Sequence, residues 1–197
     1  MILTKQIYTT LLMTATLAFA NIAYAADWTL DARQSQLNFM SVKKGHIAEN
    51  HQFKSLQGQL TAEGKLTINI DLASVDTGIA VRDQRMQEFL FNVTTYSHAT
   101  LTADVDMTAV DTMAVATSVV ITVPAQLNLH GQSKAFSLDV LVTKLSDASL
   151  VVVSAKPVLL NVADFDLVAG VAKLQELAKL PSISPIVPVT FYVTLNK

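Results

Sequence analysis

Two small groups of residues bring together side chains that could do chemistry. His46, Glu49 and His51 put two imidazoles and a carboxylate close together, the residue types of a metal centre. A metallopeptidase needs its two His one helical turn apart, with Glu beside the first. This spacing fails that test, and on a strand Glu49 and His51 share a face that His46 leaves. No metal ligand is therefore assigned. Two readings stay open: a polar turn leading into an ordinary strand, or a Glu49–His51 pair that hydrogen-bonds a ligand headgroup or caps a barrel end. Lys43, Lys44, Arg82 and Arg85 form the basic concentration of the chain. Arg82 and Arg85 are three apart and share a face if their segment is helical. They could meet a phosphate or carboxylate; the plainer reading is solvated charge paired with Asp83 and Glu88.

Catalysis finds less support. There is no Gly-x-Ser-x-Gly elbow and no glycine-rich phosphate loop. No cysteine is present, which removes thiol nucleophiles, thiolate metal sites and disulfides. The carboxylates are scattered, so no acid–base pair stands out. His98 and His130 are isolated and read as turn or surface residues. No catalytic residue and no cofactor is assigned, and the chain is read as a non-enzyme.

The elements that would position these groups show strict two-residue alternation. Leu66, Ile68, Ile70 and Leu72 alternate with polar residues, as do Leu101, Ala103, Val105 and Met107. The pattern recurs over Val119–Leu129, Phe136–Val142, and Val189, Phe191, Val193 and Leu195. Successive strand side chains point to opposite faces, so each stretch has one wet and one dry face. Strands are expected at Trp28–Asp31, Leu37–Lys44, Asn50–Thr61, Lys65–Ser74 and Ala99–Thr108, then a meander over Ala116–Leu160. Glu63-Gly64, Leu129-His130-Gly131-Gln132 and the surroundings of Asp147 supply hairpin turns. Pro124 inside a strand pattern predicts an edge or bulge.

Two segments break the alternation. Over Val81–Phe91, Met86, Phe89 and Leu90 recur at helical spacing. Val171, Leu174, Leu177 and Ala178 mark a second amphipathic helix. Pro181, Pro185 and Pro188 keep the following chain extended. The expected fold is all-β: an eight-stranded antiparallel β-barrel with two short helices.

Residues 1–25 read as a cleavable signal peptide, with Lys5, an apolar Leu11–Ala20 and the small-x-small site Ala23-Tyr24-Ala25. The apolar part is short for a membrane span. Residues 26–197 then form one domain. Export without cysteine suits the bacterial periplasm. Lys5 is the only charge before residue 26, so its removal takes the formal charge from −2 to −3. An acidic chain without a basic run argues against nucleic acid as partner.

An ordered set of motifs adds to this reading. The chain carries Trp28-Thr29-Leu30-Asp31, Ser35 with Leu37 and Phe39, Phe53-Lys54-Ser55-Leu56-Gln57-Gly58, and Ile70-Asp71-Leu72-Ala73-Ser74-Val75-Asp76-Thr77. Asn128-Leu129-His130-Gly131 follows in the same order. Together they resemble the YceI-like family of periplasmic lipid-binding proteins. One segment departs: Val162-Ala163-Asp164-Phe165-Asp166-Leu167 stands where family members carry Arg-x-Asp/Glu-Phe/Tyr-Gly-Ile/Val, so Arg is missing and Asp166 replaces Gly.

The resemblance implies a lipocalin-like barrel whose interior holds an elongated amphiphile: an isoprenoid, an isoprenoid quinone or a fatty acid derivative. The expected ligand contacts are Phe39, Phe53, Arg82, Arg85, Met86, Phe89, Leu90, Phe136, Phe165 and Leu174. Phe91 and Phe191 are either core or lining. A barrel with a filled core, serving as an interaction or structural module, is the alternative. A hydrolase or isomerase working on an amphiphile in the same cavity is a third reading, and a homodimer is left open.

Overall fold

The computed structural model describes residues 27–197, and the signal peptide read at 1–25 lies outside them. Twelve strand segments follow in chain order. They are β1 (Trp28–Leu30), β2 (Gln36–Lys43), β3 (Ile47–Phe53), β4 (Leu56–Leu60), β5 (Lys65–Asp71) and β6 (Val75–Asp76). Then come β7 (His98–Asp104), β8 (Thr117–Leu129), β9 (Gln132–Ser146), β10 (Ser149–Ser154), β11 (Val158–Asn161) and β12 (Ile186–Asn196).

The twelve segments make eight staves, because four staves are broken. β1 and β2 both pair with β12, and β10 and β11 both pair with its other edge. β4 pairs with β1 and β5, while β3 pairs with β2 and β6. Every pairing is antiparallel between consecutive staves, and β12 closes the ring onto β1 and β2. This is the expected closed eight-stranded barrel. Closure leaves no exposed edge along the ring.

Local chemistry sets the breaks. Asp31 accepts the Arg33 N–H and starts a 3₁₀ turn at Ala32–Gln34. Asp71 does the same for the turn Leu72–Ser74 through the Ala73 N–H. Such side-chain caps offer the backbone an alternative to the ladder. The strand expected over Asn50–Thr61 is two segments, parted at Lys54 and Ser55, whose N–H groups donate to Ser74 O and Ser74 Oγ. The strand expected over Ala99–Thr108 ends at Asp104. Asp106 accepts the Thr108 N–H and opens helix α1 (Met107–Asp111) instead, so Met107 is helical. Capping wins there over alternation.

Two other expectations hold. The turn between β8 and β9 has His130 at φ 52° and Gly131 at φ 77°, the paired positive angles of a tight type I′ hairpin. Pro124 sits where β7 stops: β7 pairs β8 from Thr100–Asn128 to Ala103–Ala125, and Pro124 has a ladder partner only in β9. A missing N–H is tolerated on such a one-sided stretch.

The segment Val81–Phe91 is helical as expected. Helix α2 (Ala80–Arg85) runs directly into a π-helical turn, Met86–Phe91. The second helix, α3 (Val168–Leu177), starts three residues before Val171. Among the described residues no helix is long and apolar enough to cross a membrane. After α3 the proline-containing strap, residues 178–185, is stitched to the end of β2. Lys44 N–H donates to Ser182 O at 3.1 Å and Ser184 N–H to Val42 O at 2.8 Å.

The helices meet where side chains are absent. A Cβ on Gly170 of α3 would lie 2.7 Å from Phe89 O and 2.9 Å from Leu90 Cα. Both obstacles are backbone, so only glycine permits this docking. Gly170→Ala should therefore push α3 off the π turn and cost about 1–3 kcal/mol. Chemical denaturation of the variant beside wild type measures the loss. An unchanged midpoint would mean that α3 is not held against the π turn.

Candidate functional site

The inward side chains of each stave change role along its length. On β8, Val123 and Ala125 are packed, whereas Leu127 and Leu129 line a cavity. On β9 the packed pair is Val140 and Val142, and the lining pair is Phe136 and Leu138. β7 divides between Ala103 and Leu101, β5 between Ile68 and Ile70, and β12 between Val193 and Phe191. One half of the barrel is a solid base built on Trp28, Leu30, Leu60, Leu150 and Leu195, with Val110 of α1 buried in the same core. The other half encloses about 480 Å³ with an almost wholly apolar wall. That is the size range of small-molecule sites. A filled core thus describes the base alone.

The β2–β3 ladder grades this wall from apolar to charged. Its inward pairs are Leu37–Phe53, Phe39–His51 and Ser41–Glu49, followed by Lys43–Ile47 at the hairpin end. Deep in the cavity the rings of Phe39 and Phe53 lie 5.3 Å apart, and those of Phe53 and Phe91 5.8 Å, within the range of favourable aromatic contact. Phe39 meets His51 at 5.1 Å. His51 is buried and shares a hydrogen bond with Ser41 Oγ at 2.8 Å.

Nearer the mouth, Glu49 Oε2 receives both Lys43 Nζ at 2.6 Å and Arg82 Nη1 at 2.7 Å. Arg82 Nη2 donates to Thr77 O at 2.6 Å. The hydrogen bond from Lys43, helped by the charges of Arg82 and Lys43, holds the Glu49 carboxyl below its ordinary pKa against the opposing effect of burial. Burial and then the Arg82 charge push His51 down, with Lys43 adding to them and Glu49 and Asp83 opposing. His51 is thus kept neutral near pH 7.

Nine of the ten expected contact residues are on the cavity wall: Phe39, Phe53, Arg82, Arg85, Met86, Leu90, Phe136, Phe165 and Leu174. Phe89 is not; its side chain is exposed on the outside. The π turn is the reason. Its i→i+5 bonding widens the turn, so the residues buried with Met86 are Leu90 and Phe91, while Phe89 rotates outward. Phe91 and Phe191 line the cavity. The expected pairing of the arginines with Asp83 and Glu88 is not formed. Arg82 pairs with Glu49, and Asp83 instead accepts the Thr77 N–H at 2.8 Å. Lys44 is exposed at φ 52° in the hairpin turn, as is His46 beside it.

Sequence reasoning did not name the aliphatic lining of the staves, such as Ile70, Leu101, Leu127 and Leu138, nor a group from the end of the chain. Val158 and Leu160 of β11, Ile183 of the strap and Val187 of β12 complete the wall. Asp166 caps the 3₁₀ turn Val162–Phe165 at φ 54°. The backbone region it occupies is one that glycine enters freely and aspartate tolerates.

Comparison with known proteins bears on the same residues. The model of the YceI-like domain matches residues 28–195. The fold is similar to a polyisoprenoid-binding domain from Saccharophagus degradans implicated in plant cell wall breakdown, at 41% identity and a TM-score of 0.84, covering 86% of this chain and 97% of that one. It is also similar to Burkholderia cenocepacia BcnA, at 18% identity and a TM-score of 0.63, over 84% of this chain and 98% of that one. The Campylobacter jejuni YceI protein aligns at 16% identity with a TM-score of 0.57, over 94% and 99%. The last two show the shared fold alone. A search of curated proteins finds no match.

The mouth makes the protein sensitive to acid through two groups. The folded protein holds His51 below the unfolded value of about 6.5. As the pH falls through that value the unfolded chain takes the proton first, so stability declines. Glu49 is held low as well, so its contribution is present above the unfolded value of about 4.3 and is lost as the pH falls through the folded one. Urea midpoints from pH 8 to pH 3 should show both phases. His51→Gln should abolish the decline that starts near pH 6.5, and Glu49→Gln should reduce the later one, to which Asp76 and Asp139, also held below their ordinary values by their hydrogen bonds with Lys54 and Lys156, contribute as well. A wild-type profile in His51→Gln would show that His51 does not drive the first phase.

Proposed function

The chain belongs to the YceI-like family, and on that premise we propose that it is a periplasmic carrier for an elongated amphiphile, an isoprenoid, an isoprenoid quinone or a fatty acid derivative. The apolar chain lies in the hollow half of the barrel and the polar end stays at the mouth. The observation that carries this reading is the division of one continuous apolar face into a packed base and an apolar cavity of about 480 Å³. The binding named for the Saccharophagus degradans domain, 41% identical over most of its length, supports it.

The energetics need no catalytic group. A chain leaving water for this wall gains about 0.8 kcal/mol per buried CH₂. The base sets the depth to which it can enter. Phe39, Phe53, Phe136 and Phe165 give the wall rigid rings, and Met86, Leu90 and Leu174 fill around the chain from the helical side. The ligand is held without a covalent bond and is released unchanged.

Two measurements test the proposal. Protein purified from periplasm and extracted with organic solvent should yield a stoichiometric amphiphile by mass spectrometry. Leu101→Trp, which places an indole in the cavity at the level of the base, should lower uptake of a fluorescent fatty acid at least tenfold, a loss of about 1.4 kcal/mol. Its circular dichroism should match wild type. An empty protein whose weak probe uptake is unchanged by Leu101→Trp would overturn the carrier reading in favour of an interaction module. Conversion of the bound lipid to a product would favour an enzyme.

A further inference from the structure

Resting on the reading of the cavity as a site for an apolar chain, we infer that its mouth selects an anionic headgroup, a carboxylate or a phosphate monoester. The wall includes three cations, Lys43, Arg82 and Arg85, against the single carboxylate of Glu49. With His51 neutral, two positive charges are in excess. Glu49 is already shared, since the same oxygen takes Lys43 and Arg82. Asp83, the nearest further acid on α2, is turned to the Thr77 N–H. Arg85, half-buried and one turn along from Arg82, forms no ion pair among the described residues. Arg82 Nε is buried without a hydrogen-bond partner among them.

A partly desolvated guanidinium at the rim of an apolar cavity is costly unless an anion answers it. Among the described residues, the cavity wall supplies one carboxylate for three cations. A ligand whose chain occupies the cavity brings its head to this rim. A carboxylate or phosphate there accepts parallel N–H donors from a guanidinium and neutralises the excess. A quinone, alcohol or amide head leaves the charges as they were. Selection between heads thus comes from the charge count at the mouth, and retention of the chain comes from the apolar wall.

The test uses delipidated protein carrying a neutral fluorescent probe, displaced in turn by hexadecanoic acid, hexadecyl phosphate, hexadecanamide and hexadecanol. The acid and the phosphate should displace the probe at roughly tenfold lower concentration than the two neutral ligands. Added salt should shrink the gap. Arg85→Gln should bring the ratio close to one, Arg85→Lys should keep part of it, and Lys65→Gln, at the other end of β5, should leave it unchanged. A gap for only one of the two anions also supports the inference and identifies which anion is taken. Equal displacement by all four ligands would overturn the headgroup inference and leave the chain site standing. Displacement by none would overturn the chain site itself.

Discussion

The long strand β12 is the constraint on which the cavity depends. Its residues pair on one edge with β10 and β11 and on the other with β1 and β2. Without that double pairing the sheet is an open meander, and its dry face must find another layer to bury it. With it, the same face encloses its own interior. Buried Val193 and Leu195 anchor the closure in the base, while Val187, Val189 and Phe191 carry it through the hollow half. Closure and cavity wall are therefore built by a single strand.

A hollow half is a stability debt. Lining side chains such as Leu101, Leu127 and Leu138 lack atoms on one side and forgo the dispersion contacts that close packing provides. The base offsets this through fully buried Trp28 and Leu150 and the cluster around them. Solvation also explains why the polar groups of the cavity wall are grouped at its mouth. Glu49, Lys43 and Arg82 are grouped beside the hairpin of β2 and β3, where part of their surface still meets water, with buried His51 just beneath them. Moved two pairs deeper, to the level of Phe53, the same ion pairs would lose that solvation at a cost of several kcal/mol per ion.

The fold was legible in the sequence wherever one periodicity governed a whole segment. β8 and β9 alternate over Val119–Leu129 and Phe136–Val142, and their hairpin carries His130 and Gly131 at the two positions that need positive φ. Legibility failed where a partner outside the ladder competed for the backbone N–H groups. Asp106 turned an alternating stretch into α1, and the break at Lys54 and Ser55 split one stave in two. The site was readable in its ingredients and less so in its geometry. Phe89 fitted a 3.6-residue period, but the π turn imposes a wider one, and no residue type announces that change. The partners of Arg82 were misassigned because Glu49, far away in sequence, is brought opposite by the β2–β3 ladder. Ile183 and Val187 lie among prolines without any period, and their place in the wall depends on β11 and β2, which sequence spacing alone does not reveal.

The contact at Gly170 separates two properties of the mouth that are usually entangled. Because α3 rests on the π turn backbone to backbone, the aperture of the barrel is fixed by main-chain geometry. The charge around that aperture is fixed by side chains on β2, β3 and α2. Aperture and charge are thus independent variables in this scaffold. Evolution or design can rewrite the polar rim for a new headgroup without resizing the opening. A change in ligand girth instead demands that the α3 docking itself be rebuilt.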